Sequence, residues 1–218
     1  MKPYIDIFFE FSSPYSYLAA LELPSLAARY GRTVRWRPVE LGKVWEAQGV
    51  LEPYLAVRKL KAPYILRDAA KVAAARGLPL IPWRSRPEVT LARLAVHRVN
   101  RCLPGSAELL ARSTWEKIFV QGVEIGIAED LARGLEPQLA AHIFAASRDE
   151  RAAADLKAAN EEAISLSCFG VPWILADGEC YWGQDRIFLL EQQLARQARV
   201  RVENIYRASL LGAAAHVA

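Results

Sequence analysis

Apolar and polar positions change their spacing twice along the chain, and the two changes divide it into three stretches. Tyr4 to Phe9, YIDIFF, is rich in aromatic and β-branched residues and predicts a buried strand. A helix is expected from Pro14 to about Arg29, with Pro14 suited to its first position because proline has no N–H to leave unpaired there. Pro24 falls inside that pattern and is expected to kink or interrupt it. Gly31 closes the unit, and Thr33 to Pro38, TVRWRP, alternates as a second strand. The first forty residues therefore read β-α-β. From Lys43 to Asn160 strand signals all but vanish. LRDAAKVAAARG, TLARLAVHRVNRC and AELLARSTWEKIFVQG have helical spacing, with Gly77, Gly105 and Gly134 as punctuation. Near residue 173 the pattern reverts. WILADGECYW holds two short apolar runs around Asp177-Gly178, a strong hairpin signal, and GQDRIFLLEQQLARQ opens a last helix. The end reads β-β-α, with a tail from Val200 that forms either a further helix or a loose end.

The order predicts an α/β protein with a thioredoxin-like fold and a helical domain inserted between its β-α-β and β-β-α halves. The expected boundaries are 1–42 and 165–199 for the thioredoxin-like domain, 43–164 for the helical insertion and 200–218 for a C-terminal extension. A chain of 218 residues fits that plan. At this length roughly 70% of the unfolded surface is buried, so no disulfide or metal staple is needed.

Composition narrows the classes. The chain is 53% hydrophobic and 24% charged, ordinary for a globular protein, and no stretch reaches the ~20 uncharged apolar residues of a membrane span. Its opening reads as a strand rather than a signal peptide, which leads to the expectation of a cytoplasmic protein. The net charge is +4, and only residues 58 to 76 are locally basic, mostly as a solvated face. That argues against nucleic acid as a partner and is compatible with small anionic ligands. Cys102, Cys168 and Cys180 are odd in number and form no C-x-x-C, so free buried thiols are expected. His97, His142 and His216 are scattered, so no metal site is expected. Trp36, Trp115 and Trp173 are expected in the core.

The candidate chemistry lies where the two β-containing ends meet. In thioredoxin-type redox proteins the first strand leads to C-x-x-C at the start of a helix. Here that joint reads Ser13-Pro14-Tyr15-Ser16. Hydroxyls cannot exchange disulfides, so dithiol chemistry is excluded and what remains is a hydroxyl at the positive end of a helix, suited to a thiolate. Gly170-Val171-Pro172 precedes the hairpin, where this fold typically has a cis proline. Such a bond would turn the backbone of Val171 toward a peptide ligand, which pairs with it as an added strand. Gln184 and Asp185 enter the last helix, either as ordinary capping or as a clamp for a small zwitterion. Tyr15, Tyr64 and Trp83 are individually core candidates that could also stack on an aromatic ligand, and Lys61 could steer a carboxylate.

FFEFSSPYSYLAA and FGVPWILADGECYWGQDRIFLLE together resemble the 2-hydroxychromene-2-carboxylate isomerases, relatives of kappa-class glutathione transferases and, more distantly, of the disulfide oxidases. The resemblance spans residues 1 to about 195 and includes Lys61, Tyr64, Arg67-Asp68, Arg76-Gly77-Leu78-Pro79 and Asn160-Glu161-Glu162-Ala163. It implies glutathione as cofactor, a small aromatic carboxylate as substrate, and a homodimer. It also implies Ser13 as the catalytic serine, glutathione contacts at Val171 beside Pro172 and at Gln184 and Asp185, and a substrate pocket reached by Tyr15, Lys61, Tyr64 and Trp83. The implied reaction interconverts 2-hydroxychromene-2-carboxylate and trans-o-hydroxybenzylidenepyruvate. Two alternatives stand beside it: a kappa-like transferase or peroxidase acting on other electrophiles, and a non-catalytic binding protein. The family commonly reads Leu-Gly-x-x-Phe-Lys-x-x-Gly-Asn after the second strand; here LGKVWEAQGV puts Glu46 in place of Lys and Val50 in place of Asn, and Val89 replaces a further Asn. These departures bear on glutathione and substrate affinity, with Lys43 as a nearby substitute charge.

Overall fold

The computed structural model describes residues 3–214. Its centre is β1 (Tyr4–Phe9), paired in parallel with β2 (Thr33–Pro38) from Tyr4↔Thr33 to Phe9↔Pro38. On its other edge β1 runs antiparallel to β3 (Trp173–Ala176), which turns at Asp177-Gly178 into β4 (Glu179–Trp182). The sheet order is β2-β1-β3-β4, the thioredoxin-type arrangement expected from the sequence. Both faces of β1 are covered, which is why its sequence is almost continuously apolar.

Alternation along β1 sorts its side chains between two cores. Ile5, Ile7 and Phe9 face a large cluster shared with α1 (Pro14–Arg29), α4 (Thr90–Cys102) and α5 (Ala107–Glu116). Phe8 faces a smaller cluster shared with α2 (Leu41–Ala47) and α8 (Glu150–Ser165). Asp6 shares that second face. It is buried and held by a two-pronged ion pair with Arg35 at 2.7 and 2.8 Å, with Arg37 at 3.5 Å. The helical stretch is completed by α3 (Leu51–Ala75), α6 (Ala128–Ala132) and α7 (Pro137–Ala146), and a π-helical turn at Lys117–Gln121 follows α5. Among the described residues no strand interrupts it, as the sequence predicts. The large cluster draws on both ends of the chain and on the helical stretch, so sheet and helices share one continuous apolar core.

Phe9, Phe11, Trp36 and Trp115 pack as an aromatic nest with ring centroids 4.8–6.1 Å apart. Such pairs add about 0.5–1.5 kcal/mol each beyond their area. They fix the segment from Phe9 to Phe11, which delivers the chain to the Ser12-Ser13-Pro14 joint. Trp36, Trp115 and Trp173 are buried, as expected.

Several local expectations are corrected. Pro24 does not break α1, which continues to Arg29. The lost hydrogen bond costs ~3 kcal/mol, while fully buried Leu23 and Leu26 each contribute about 2 kcal/mol. α3 runs well ahead of its predicted start and tolerates Pro63 on its exposed side. The last helix does not open at Gly183: Gln184–Arg186 is a 3-10 turn, and α9 (Ile187–Ala214) starts after it. The expected C-terminal extension continues α9 through Ala214, and residues 215–218 lie outside the described residues. Of the three thiols only Cys168 is buried, whereas Cys102 and Cys180 are exposed.

Candidate functional site

The Ser12-Ser13-Pro14 joint is a helix cap first. Ser13 has extended dihedrals (φ −86°, ψ 115°), Pro14 fills the first helical turn, and Ser13 Oγ accepts the Ser16 N–H at 3.2 Å. The Ser13 N–H donates to Glu10 O at 3.0 Å, which tethers the joint to the end of the β1 segment. Accepting the cap bond leaves the Ser13 hydroxyl hydrogen unused, and it has no acceptor among the described residues. Ser16, at the second thiol position of the redox proteins, is fully buried and its hydroxyl finds no partner.

A cavity of about 640 Å³ opens beside this cap. Ser13 and Tyr15 line it from α1, Lys61 and Tyr64 from α3, and Trp83 from the loop between α3 and α4. Val171, Gln184 and Asp185 line it from the segments around the hairpin. Pro172 does not itself line the cavity. Its bond to Val171 is cis, as the sequence suggests, and neither backbone polar group of Val171 is hydrogen-bonded among the described residues. The Pro172 carbonyl accepts from the Gly183 N–H at 2.9 Å, which ties this segment to the 3-10 turn.

The placement of each side chain has a local cause. Tyr15 donates its hydroxyl to Asp68 Oδ2 at 2.6 Å, linking α1 to α3. Burial, then the Asp68 hydrogen bond and charge, push the phenol well above its ordinary range, so it stays protonated. The Trp83 indole N–H donates to Ser12 O at 3.1 Å, and Tyr17 donates to Pro79 O at 2.9 Å, so the loop from Gly77 to Val89 is tied across the joint. Gln184 is buried and its Oε1 has no partner, while exposed Asp185 pairs with Arg186 at 2.5 Å. Gly183 has φ +95°, and a Cβ there would meet Asp185 Oδ1 at 2.6 Å, so glycine is required to bring the turn in. Gly170 has the same role against Trp182, whose Nε1 would lie 2.6 Å from an added Cβ.

Sequence reasoning missed part of the wall. Trp45, Tyr54, Phe169 and Trp182 line the cavity as an aromatic belt: Trp45 and Tyr54 centroids are 3.7 Å apart, Phe169 and Trp182 are 4.7 Å apart, and the Trp45 N–H donates to Phe169 O at 3.0 Å. Glu10, Arg58 and Arg86 were also unassigned. Glu10 is buried at the cavity edge, accepting from the Phe11 N–H at 3.0 Å and Arg93 at 3.3 Å, with Arg86 at 3.9 Å. Burial pushes its carboxyl up, and Arg93 and then Arg86 oppose that rise. Cys168, behind this wall, is pushed up to about 12 by burial, so it is an inert thiol. Among the described residues no cluster of His, Cys, Asp or Glu could hold a metal, and no helix is long and apolar enough to cross a membrane.

The three departures lie off the cavity. Glu46 is exposed and pairs with Lys43 at 3.2 Å, so Lys43 compensates Glu46 rather than supplying charge to the site. Val50 is exposed before α3, and Val89 is core at the start of α4.

The DSBA-like thioredoxin domain family matches residues 4–195. A 2-hydroxychromene-2-carboxylate isomerase from Pseudomonas putida is 31% identical over 210 residues, covering 89% of this chain and 96% of that protein. A glutathione S-transferase kappa 1 from Caenorhabditis elegans is 26% identical over 88% of this chain and 91% of its own length. Among solved structures, a 2-hydroxychromene-2-carboxylate isomerase superposes with a TM-score of 0.76 at 25% identity, covering 92% of this chain and 98% of that one. The cap, cavity and cis bond described above thus sit in a DsbA-like thioredoxin domain that lacks the dithiol, and the chain belongs to the 2-hydroxychromene-2-carboxylate isomerase family within it.

Proposed function

We propose that the protein is a glutathione-dependent isomerase of 2-hydroxychromene-2-carboxylate or a related aromatic-degradation intermediate. One observation carries the reading. Ser13 Oγ is anchored as an acceptor by its own helix, and its unused hydroxyl hydrogen borders a cavity with aromatic walls and cationic side chains. The residues fit glutathione by their unmet valences. The Val171 backbone is available to pair with a peptide, Gln184 Oε1 is buried without a partner, and Asp185, whose Oδ2 pairs with Arg186, keeps its second carboxylate oxygen for an amine. Held by these residues, glutathione would supply a nucleophilic thiolate, the chemistry that reversible addition to a conjugated alkene needs.

The chain's own contribution is electrostatic. The Ser13 hydroxyl donates a hydrogen bond to sulfur, and the N-terminal end of the α1 dipole adds a positive field. Each unit by which a thiol falls below about 8.5 corresponds to about 1.4 kcal/mol of thiolate stabilisation. Tyr15, held protonated against Asp68, adds no negative charge of its own to the cavity wall. The aromatic belt excludes water from the plane of a flat substrate. Ser13 has no histidine partner among the residues lining the cavity, so the role is thiolate stabiliser rather than acyl nucleophile. The reading includes a cytoplasmic setting, in which the thiols stay reduced, and a homodimer, whose mass sedimentation equilibrium measures.

The test is turnover of the chromene carboxylate with and without glutathione. Isomerisation only with glutathione, lost in Ser13→Ala, supports the reading; the same rate without glutathione overturns it. The kappa relative favours a second reading, conjugation of other electrophiles. Turnover of a chlorinated aromatic electrophile without isomerisation selects that one. Failure to bind glutathione at all selects a non-catalytic binding protein.

A further inference from the structure

We propose that Arg58 and Lys61, beside the Trp45–Tyr54 pair, form the carboxylate-recognition subsite for a flat aromatic acid. The inference deepens the isomerase reading and rests on it for the identity of the natural substrate. It does not rest on that reading for the binding itself.

Charge accounting in the cavity leads there. Four cations line it: Arg58, Lys61, Arg86 and Arg186. Arg86 faces the buried Glu10 carboxylate at 3.9 Å, and Arg186 is tied to Asp185 at 2.5 Å. Asp68, the third lining acid, accepts from Tyr15. Arg58 and Lys61 have neither an ion pair nor a hydrogen bond among the described residues. The site's uncompensated positive charge is therefore on this one turn of α3.

Position makes the pair a subsite rather than part of a solvated face. Along α3 the cavity-lining residues Tyr54, Arg58, Ala62, Ile65 and Val72 recur at helical spacing, so Arg58 sits on the inward stripe and is half-buried. Lys61 lies at its edge, with Nζ 5.8 Å from the centre of the Tyr54 ring. Tyr54 in turn contacts Trp45 at 3.7 Å. A guanidinium and an ammonium flank one end of an aromatic wall, which suits a planar ring carrying a conjugated carboxylate. The guanidinium offers two parallel donors to that carboxylate. The groups assigned to glutathione, around Val171 and Gln184, come from other elements.

The experiment uses trans-cinnamate and its neutral amide, cinnamamide, as probes, with binding followed by calorimetry on native protein, Arg58→Gln/Lys61→Met and Arg58→Lys. Glutathione is titrated separately into each. Native protein is expected to bind cinnamate at least about tenfold more tightly than cinnamamide. The double variant is expected to lose that preference while holding cinnamamide and glutathione within about twofold, and Arg58→Lys to keep part of the preference. The proposal is overturned if native protein does not prefer the acid. It is also overturned if the double variant keeps the preference, or if the variant weakens glutathione and leaves cinnamate unchanged. If native protein prefers cinnamate but does not bind glutathione, the subsite stands and the isomerase reading falls.

Discussion

Between pH 7 and pH 4 acidification should destabilise this protein chiefly through His97. It lies on the inner face of α4, buried, with its Nε2–H donating to Pro38 O at the end of β2 at 2.9 Å. Burial is the largest cause lowering its pKa, from 6.5 to about 4, and the Pro38 bond opposes that only in part. The folded state therefore binds this proton less readily than the unfolded chain. Stability is full above the unfolded value of 6.5 and is lost as pH falls toward 4. Linkage puts the loss at about 2 kcal/mol by pH 5 and about 3 kcal/mol by pH 4. Other groups respond to acid as well. Glu10, raised by burial, contributes with the opposite sign, and Asp149, in which burial is overcome by hydrogen bonds to Arg98 and the α8 N-terminus that lower the carboxyl, contributes with the same sign only as pH falls below its ordinary value of 3.8. The comparison with His97→Gln removes both. Urea unfolding at a series of pH values gives a stability difference between native and variant at each, whatever the constant offset of the substitution. That difference should narrow, then move in the variant's favour, by about 2–3 kcal/mol between pH 7 and pH 4. Parallel stability curves for the two proteins would refute the account of His97 as a buried neutral imidazole.

Three further outcomes follow from the geometry. Ser13→Ala removes the cap bond to Ser16 and should cost about 1 kcal/mol, a fall of about 3 °C in Tm, while Ser13→Thr restores most of it; equal melting of native and alanine proteins would show that the cap does not operate. Gly170→Ala should cost about 1–3 kcal/mol and red-shift tryptophan emission, because its Cβ displaces Trp182 from the cavity wall; a neutral substitution would contradict that packing. An aromatic disulfide reagent should titrate two thiols in the native protein, Cys102 and Cys180, and reach Cys168 only on unfolding. Three fast thiols would mean that the Cys168 wall is open.

Much of this fold was legible because alternation and burial agree. β1 and β2 have the predicted bounds, since each lies against the core and closes at a proline or a charged residue. The hairpin turns at Asp177-Gly178, where Gly178 takes φ +91°. The helices were less legible at their prolines. Pro24 sits between the buried Leu23 and Leu26 and Pro63 lies on the exposed side of α3, and no local window shows which side of a helix is buried. At the site, Ser13, Val171, Gln184 and Asp185 were singled out because they lie at joints between elements and fall in the stretches that resemble the family, and all four line the cavity. Arg58 and Glu10 could not, because a lone charge in a helix or after a strand ordinarily faces water. For Arg58 the signal was present as spacing: it falls in line with Tyr54, Ala62 and Ile65. Glu10 needed the third dimension, since Arg93, which compensates it, comes from a helix more than eighty residues away. Glu46 and Val50 drew weight from likeness to relatives, and neither lines the cavity.

The central claim is that Ser13 donates its hydroxyl hydrogen to a bound sulfur. The most direct measurement is glutathione binding by calorimetry together with its ultraviolet thiolate absorbance against pH, on native protein and on Ser13→Ala. The account predicts binding, with a thiol pKa about one to two units below 8.5 in native protein and substantially restored in the variant. No binding at millimolar glutathione, or a bound thiol that titrates alike in both proteins, would contradict it.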